Sequence, residues 1–156
     1  MAILKIVKEG DETLRKVCRE VEEITPRITR LLDDMKDTLK KADGVGLAAP
    51  QVGVLRRICI VENEEGKIYE LINPKIIAKS SERQHELEGC LSIPGKWGKT
   101  DRPMSVTVEA LNRKGEKYQV SGSGITARCF CHEIDHLDGI LFIDNAEEIF
   151  TPDEEQ

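Results

Sequence analysis

No apolar run in this sequence approaches the roughly 18 residues that a membrane-spanning helix needs, which argues against a membrane partner. The opening segment MAILKIVKEG is interrupted by Lys5, Lys8 and Glu9, so it lacks the core of a signal peptide and the expected location is the cytoplasm. Positive charge is in deficit as well. Lys and Arg total 23 against 29 Asp and Glu, a net charge of -6, a poor match to a phosphate backbone and a reason to discount nucleic acid as a partner. A disulfide framework is also missing, because the five cysteines at 18, 59, 90, 129 and 131 are odd in number and irregular in spacing. Reduced thiols fit the same compartment. There is no internal repeat and no interdomain linker. The 156 residues are therefore read as a single domain, large enough to bury a core without cross-links, with a fraying acidic tail over about 151–156.

The apolar patterning divides the chain. Residues 11–17 suggest a short helix, and Thr25-Pro26 opens a longer one, with Thr25 as N-cap and Pro26 in the first turn. Ile28, Leu31, Leu32, Met35 and Leu39 form its inward stripe, which ends before Asp43-Gly44. From Val54 the period changes to that of short strands at 57–61, 68–72, 76–78, 105–111 and 118–120. Turn residues at 63–66 and 112–115 predict hairpins. Ser123 is placed to cap a last helix carrying Ile125, Cys129, His132 and His136 on one face, with Gly139 beyond its end. Strands followed by one buried functional helix predict an α+β fold, with mostly antiparallel β-sheets packed around that central helix.

The helix holds the most informative residues, His132-Glu133-Ile134-Asp135-His136. In a helix, positions i and i+4 stack one turn apart, so two imidazoles project toward one cation while the intervening Glu133 can handle protons on a bound water. Two ligands rarely suffice, and a catalytic zinc-like site takes three and keeps one position open. Cys59 lies inside the apolar run Ile58-Cys59-Ile60-Val61 and reads as a small core residue. Cys90 stands apart, between Glu88-Gly89 and Leu91-Ser92-Ile93-Pro94-Gly95, where glycine and proline mark tight backbone beside a short strand. It is the best candidate third ligand. Cys129 competes, but three ligands on one straight helix would span about 10 Å of rise, too far to converge on one ion. Cys131 points about 100° around the axis from His132.

A third segment, Gly44-Val45-Gly46-Leu47-Ala48-Ala49-Pro50-Gln51, has small residues that let another backbone approach and a Gln51 amide able to donate to a developing negative oxygen. Alone, its glycines read more readily as the end of the preceding helix. It is no phosphate loop, since no Gly-Lys-Ser/Thr follows.

Together the three segments resemble the peptide deformylase family, whose motifs Gly-x-Gly-x-Ala-Ala-x-Gln, Glu-Gly-Cys-Leu-Ser and His-Glu-x-x-His stand here in order at 44–51, 88–92 and 132–136. The resemblance extends from Leu14-Arg15 to Leu141-Phe142-Ile143-Asp144. It implies a metal-dependent hydrolase that removes the formyl group from the N-terminal formylmethionine of newly made peptides, releasing formate. Cys90, His132 and His136 are the implied metal ligands and Glu133 the acid/base, while the Gln51 amide and the Leu91 N–H are implied to hold the oxyanion. Gly46 and Gly89 would bind the peptide backbone in a sheet-like manner, and Val45, Glu88, Ile125 and Cys129 would surround the methionine side chain. The implied cofactor is one divalent ion, ferrous iron in the family, with zinc equally suited to a Cys-His-His set.

The sequence departs from the family pattern in two places. Cys131 stands where relatives commonly have glutamine before the first motif histidine, which removes an outer hydrogen bond and adds an oxidisable thiol. No helix like the C-terminal one linked to ribosome docking in many bacterial relatives is evident after Asp144, so ribosome association loses its usual support. Two rivals are a zincin-type endopeptidase, which would draw a third ligand from downstream residues such as Glu147 or Glu148, and a closed structural metal site with Cys129 as a fourth ligand.

Overall fold

Eight strands, two α-helices of more than one turn and several short helical turns make up residues 2–151, which the computed structural model describes. Helix α1 (Pro26–Ala42) begins after Thr25, whose side chain makes no capping bond, and stops at Asp43 in the left-handed region at φ 57°. The helix thus ends at Ala42, before Asp43-Gly44 as expected, with Asp43 as its cap. Strands β1 (Gly46–Ala48), β2 (Ile58–Glu62), β3 (Ile68–Lys79), β6 (Ser105–Leu111) and β7 (Lys117–Ser123) form an antiparallel sheet in the order β1-β2-β3-β6-β7. Strands β4 (Arg83–Cys90), β5 (Ile93–Pro103) and β8 (Ala146–Phe150) form a second sheet in the order β4-β5-β8. The predicted α+β architecture with antiparallel sheets around the motif helix is the one observed.

The first sheet is buried on both faces at β2, which is why that strand's sequence is continuously apolar. Ile58 and Ile60 pack with Ile28, Leu32, Met35 and Leu39 of α1. Cys59 and Val61 turn the other way, into a cluster with Phe130, Ile134 and Leu137 of helix α2 (Ile125–Leu137). A strand covered on both sides needs apolar residues at every position rather than at alternate ones. Both expected hairpins are present, with Glu62 paired to Ile68 and Leu111 to Lys117. The segments expected at 68–72 and 76–78 are one strand bent at Asn73, which sits at φ 52° and ties its amide to both backbone groups of Val21 at 2.8 and 2.9 Å.

The second sheet was expected only as a short strand near Cys90. Its inward positions are polar: Gln84, Glu88, Thr100 and Arg102 are all buried. The two-residue hydrophobic alternation that betrays a half-buried strand is therefore absent from β4 and β5. Helix α2 differs from expectation at its start. Its cap is Gly124, at φ 60° and ψ -126°, while Ser123 closes β7. The far end is as expected, with Asp138 as C-cap and Gly139 at φ 75°. A single helical turn, α3 (Phe142–Asn145), then leads into β8. Residues 152–156 of the acidic tail lie outside the described residues.

Candidate metal centre

Helix α2 lies between the two sheets, and the site forms where the last residue of β4 meets it. The ligand atoms of Cys90, His132 and His136 all lie within 4.8 Å of one another, and Cys90 Sγ is 3.4 Å from His136 Nε2. Both histidines are buried, and their rings meet edge to face at 5.0 Å. Chain positions more than 40 residues apart thus present one thiol and two imidazoles to a common point. Cys129 is not part of this cluster. Its thiol points at the Val45 carbonyl, 3.6 Å away, and burial pushes its pKa well above the ordinary thiol value. Cys131 is also buried, its thiol pushed up to about 11 chiefly by burial, which suits inert packing.

The carboxylate of Glu88 fixes the orientation of His132. His132 Nδ1 donates to Glu88 Oε1 at 2.9 Å, leaving Nε2 to face the cluster. Glu88 also receives Thr100 Oγ1 at 2.7 Å and Arg102 Nη2 at 2.7 Å. Arg102 continues to Asp135 at 2.7 Å. Burial would raise the Glu88 pKa, but the bonds from His132 and Arg102 outweigh it and hold the carboxyl down at about 2. Glu88 was expected on the wall of the substrate pocket. It does line the cleft, yet its carboxylate serves the histidine. Thr100 and Arg102 were not foreseen, because only the strand pairing of β4 with β5 brings them to the site; Asp135 stands within the motif helix, and its part shows only once Arg102 is placed beside it. A polar stretch with regular alternation, Thr100 and Arg102 two apart, was the available signal.

Glu133 is buried beside this network, and one of its oxygens, Oε1, has no hydrogen-bond partner among the described residues. Burial pushes its carboxyl up to about 7, against the opposing pull of His132. A carboxylate near that value can both take and return a proton at neutral pH. The histidines diverge. Burial draws both down, and for His136 the neighbouring His132 adds to this, whereas for His132 the negative groups Glu133, Cys90 and Glu88 outweigh burial and raise it.

The Gly44–Gln51 segment closes the other side. Gly46 is a steric requirement: a Cβ there would lie 2.5 Å from Glu133 Oε2 and 2.7 Å from Cys129 Sγ. The Gln51 Oε1 accepts from the Ala48 N–H at 2.9 Å, which turns its Nε2 toward Ser92 Oγ at 3.1 Å and Cys90 Sγ at 3.5 Å. Ser92, fully buried, was not among the expected site residues. In front of these groups runs a cleft of about 570 Å³ lined by Val45, Gly46, Gly89, Leu91, Ile125 and Cys129, among others. It lies between β1 and β4, each the outermost strand of its sheet, so unpaired backbone edges face it from two sides. Of the downstream acids weighed for an endopeptidase, Glu147 bonds His85 at 2.6 Å on the exposed face of the second sheet.

Comparison with known proteins points to one family. The family model for polypeptide deformylase matches residues 3–150. Peptide deformylase of Acetivibrio thermocellus is 53% identical over 154 residues, covering 99% of this chain and 89% of that protein. Peptide deformylase of Desulfitobacterium hafniense is 55% identical over 148 residues, 95% of this chain and 97% of that protein. Among solved structures, peptide deformylase from Ehrlichia chaffeensis in complex with actinonin superposes with a TM-score of 0.91 at 39% identity, covering 95% of this chain and 91% of that one.

Proposed function

This chain belongs to the polypeptide deformylase family, and on that footing we propose that Cys90, His132 and His136 hold the divalent metal at which it works. It is a metal-dependent hydrolase that removes the N-formyl group from newly made peptides and releases formate. The observation that carries the residue assignment is the approach of the three donor atoms to within 4.8 Å of one another. The donor set fits the group: a thiol, an imidazole whose outer nitrogen is already bonded to Glu88, and a second imidazole whose Nε2 faces the thiol. A cation bound there supplies Lewis acidity, lowering the pKa of a coordinated water and drawing electrons from the formyl oxygen.

The chain's own residues do the rest. Glu133 accepts the proton from the attacking water and returns it to the departing amine, so formate and a free N-terminal amine leave. The Gln51 Nε2, aimed by the bond from Ala48 to Oε1, and the Leu91 N–H donate to the oxygen that gains charge. The backbones of Gly46 and Gly89 receive the extended peptide as an added strand between the two sheet edges. Val45, Ile125 and Cys129 enclose the methionine side chain. Ferrous iron is the proposed resident ion, as the family resemblance implies, although thiolate and imidazole suit zinc as well. The reading places the work in the cytoplasm, where formylated chains are made, and requires no ribosome contact. Among the described residues, no helix is long and apolar enough to cross a membrane.

The test is formate release from formyl-Met-Ala-Ser with parallel metal analysis. Glu133→Ala should lower the rate by roughly 10²–10⁴-fold with the metal still bound. Loss of metal together with activity would point to a structural site instead. Full, oxygen-stable activity in a zinc-only sample purified anaerobically would count against iron.

A further inference from the structure

We propose that Arg128 is a specificity-determining residue, favouring formylated chains that carry an aspartate or glutamate two positions after the formylmethionine. The inference rests on the deformylase reading and adds to it a preference beyond the first residue.

Arg128 belongs to the working face of α2. At helical spacing it lies one turn after Ile125 and one turn before His132, and it lines the cleft together with Ile125, Cys129 and His132. It also borders a shallower groove beside Gln84 and Met104, so it forms the ridge at the cleft's rim. The side chain is held in place there. Its Nη1 donates to Gln84 Oε1 at 3.0 Å. Gln84 is itself buried, and its Nε2 donates to the carbonyls of Pro103 at 3.0 Å and Gly124 at 2.8 Å. With both amide protons committed, the Gln84 oxygen can only point at the guanidinium. One nitrogen of the fork is thereby anchored, and the remaining donors stay available for a carboxylate.

No such carboxylate is supplied among the described residues. Arg102, at the back of the same site, is neutralised by Glu88 and Asp135, and Arg57, Arg83 and Arg113 each have an acidic partner. Arg128 has none among the described residues, although the chain carries a net charge of -6. A half-buried, pre-oriented cation that the protein leaves uncompensated at the mouth of its substrate cleft is suited to a charge on the substrate. The position follows from strand geometry. Alternate side chains of an extended peptide share a face, about 7 Å apart. With the methionine enclosed by Ile125 and Cys129, the third residue is the next to fall on the α2 side, where Arg128 stands. The second residue points away.

Formate release would be measured on C-terminally amidated formyl-Met-Ala-Asp, formyl-Met-Ala-Ser, formyl-Met-Ala-Lys and formyl-Met-Asp-Ala, with the wild type, Arg128→Gln and Arg128→Glu. The wild type should prefer Asp over Lys at the third position by about 10-fold in kcat/KM, mostly through KM, and less so at high salt, as a charge pair at this depth is screened. The ratio should collapse toward 1 in Arg128→Gln and invert in Arg128→Glu, with no comparable preference at the second position. Formate release without charge preference in the wild type, or a ratio that survives Arg128→Gln, overturns the proposal and leaves the deformylase reading intact. If the wild type releases formate from none of the four peptides, the deformylase reading fails and takes this one with it.

Discussion

At the scale of single residues the site is governed by close approach, and Gly46 is the sharpest case. Its backbone lies directly against the Glu133 carboxylate and the Cys129 thiol, so a methyl group would be placed 2.5 Å from Glu133 Oε2. Either the carboxylate moves or β1 does, and both the proposed acid/base and the proposed peptide-binding edge are then out of register. Displacement on the order of 1 Å at a reacting group can cost about 10²-fold, so Gly46→Ala should lower kcat/KM for formyl-Met-Ala-Ser by about that factor. Metal content should stay unchanged, as Gly46 touches none of the three donors. A variant with near wild-type turnover would show that the carboxylate is free to shift. The same residues mark how far sequence alone reaches. Cys90, Gln51, Glu133 and the two histidines could be picked out because each sits in a short motif whose spacing has a chemical reason. Arg102 could not, because what makes it part of the site is where the pairing of β4 with β5 places it, whereas Ser92 stands in the same motif as Cys90 and shows its part only through the bond from Gln51.

The elements that carry the site are joined by buried charge rather than by apolar packing, and this is why β4 and β5 escaped a reading based on hydrophobic alternation. Helix α1 and strand β6 were legible from the period of their apolar residues, β2 from its unbroken apolar run, and α2 from the stripe Ile125, Cys129, His132 and His136. In β4 and β5 the inward positions are Gln84, Glu88, Thr100 and Arg102, and the pattern exists in hydrogen bonds instead. The pair Arg102–Glu88 is almost fully buried, with side chains 7% and 6% exposed. Removing one member strands the other charge, at about 3–5 kcal/mol. Arg102→Ala should therefore destabilise the fold by that amount in urea titration and, by loosening the Glu88 bond to His132, weaken metal affinity about 10–100-fold. A loss below 1 kcal/mol would mean that Glu88 is reached by water. A second junction ties α1 to the first sheet. Glu70 on β3 accepts from Arg113 at 2.5 Å and from Lys36 at 2.6 Å. Burial would raise its pKa, but these two cations outweigh it and hold it below the ordinary value. A depressed carboxyl stabilises the fold fully above its unfolded value, about 4.3, and loses that contribution as pH falls through the lower folded value. The stability of wild type should accordingly decline with acid below about pH 5 more steeply than that of Glu70→Gln. Parallel curves would remove Glu70 from the account.

Across the whole molecule the candidate metal centre is a seam. Cys90 ends β4 of the three-stranded sheet, whereas His132 and His136 sit on α2, whose apolar side packs on the five-stranded sheet. A cation bound by all three donors links the two sheets in the native state and has no comparable site in the unfolded chain, so its binding free energy adds to stability. At a free metal concentration about 100 times Kd the addition is about 2.7 kcal/mol, and a domain of this size gains about 2–4 °C in Tm per kcal/mol. Stripping the ion with a chelator should lower Tm by about 5–10 °C, and restoring ferrous iron or zinc should return it. Cys90→Ala cuts the link on one side only. In that variant the two histidines remain one turn apart on α2, but the ion no longer reaches across to β4, so the chelator-induced shift should nearly vanish even where some metal is still bound. A shift of undiminished size in Cys90→Ala would show that the ion stabilises the helix alone, and that the two sheets are held together by Glu88, Arg102 and Asp135 without it.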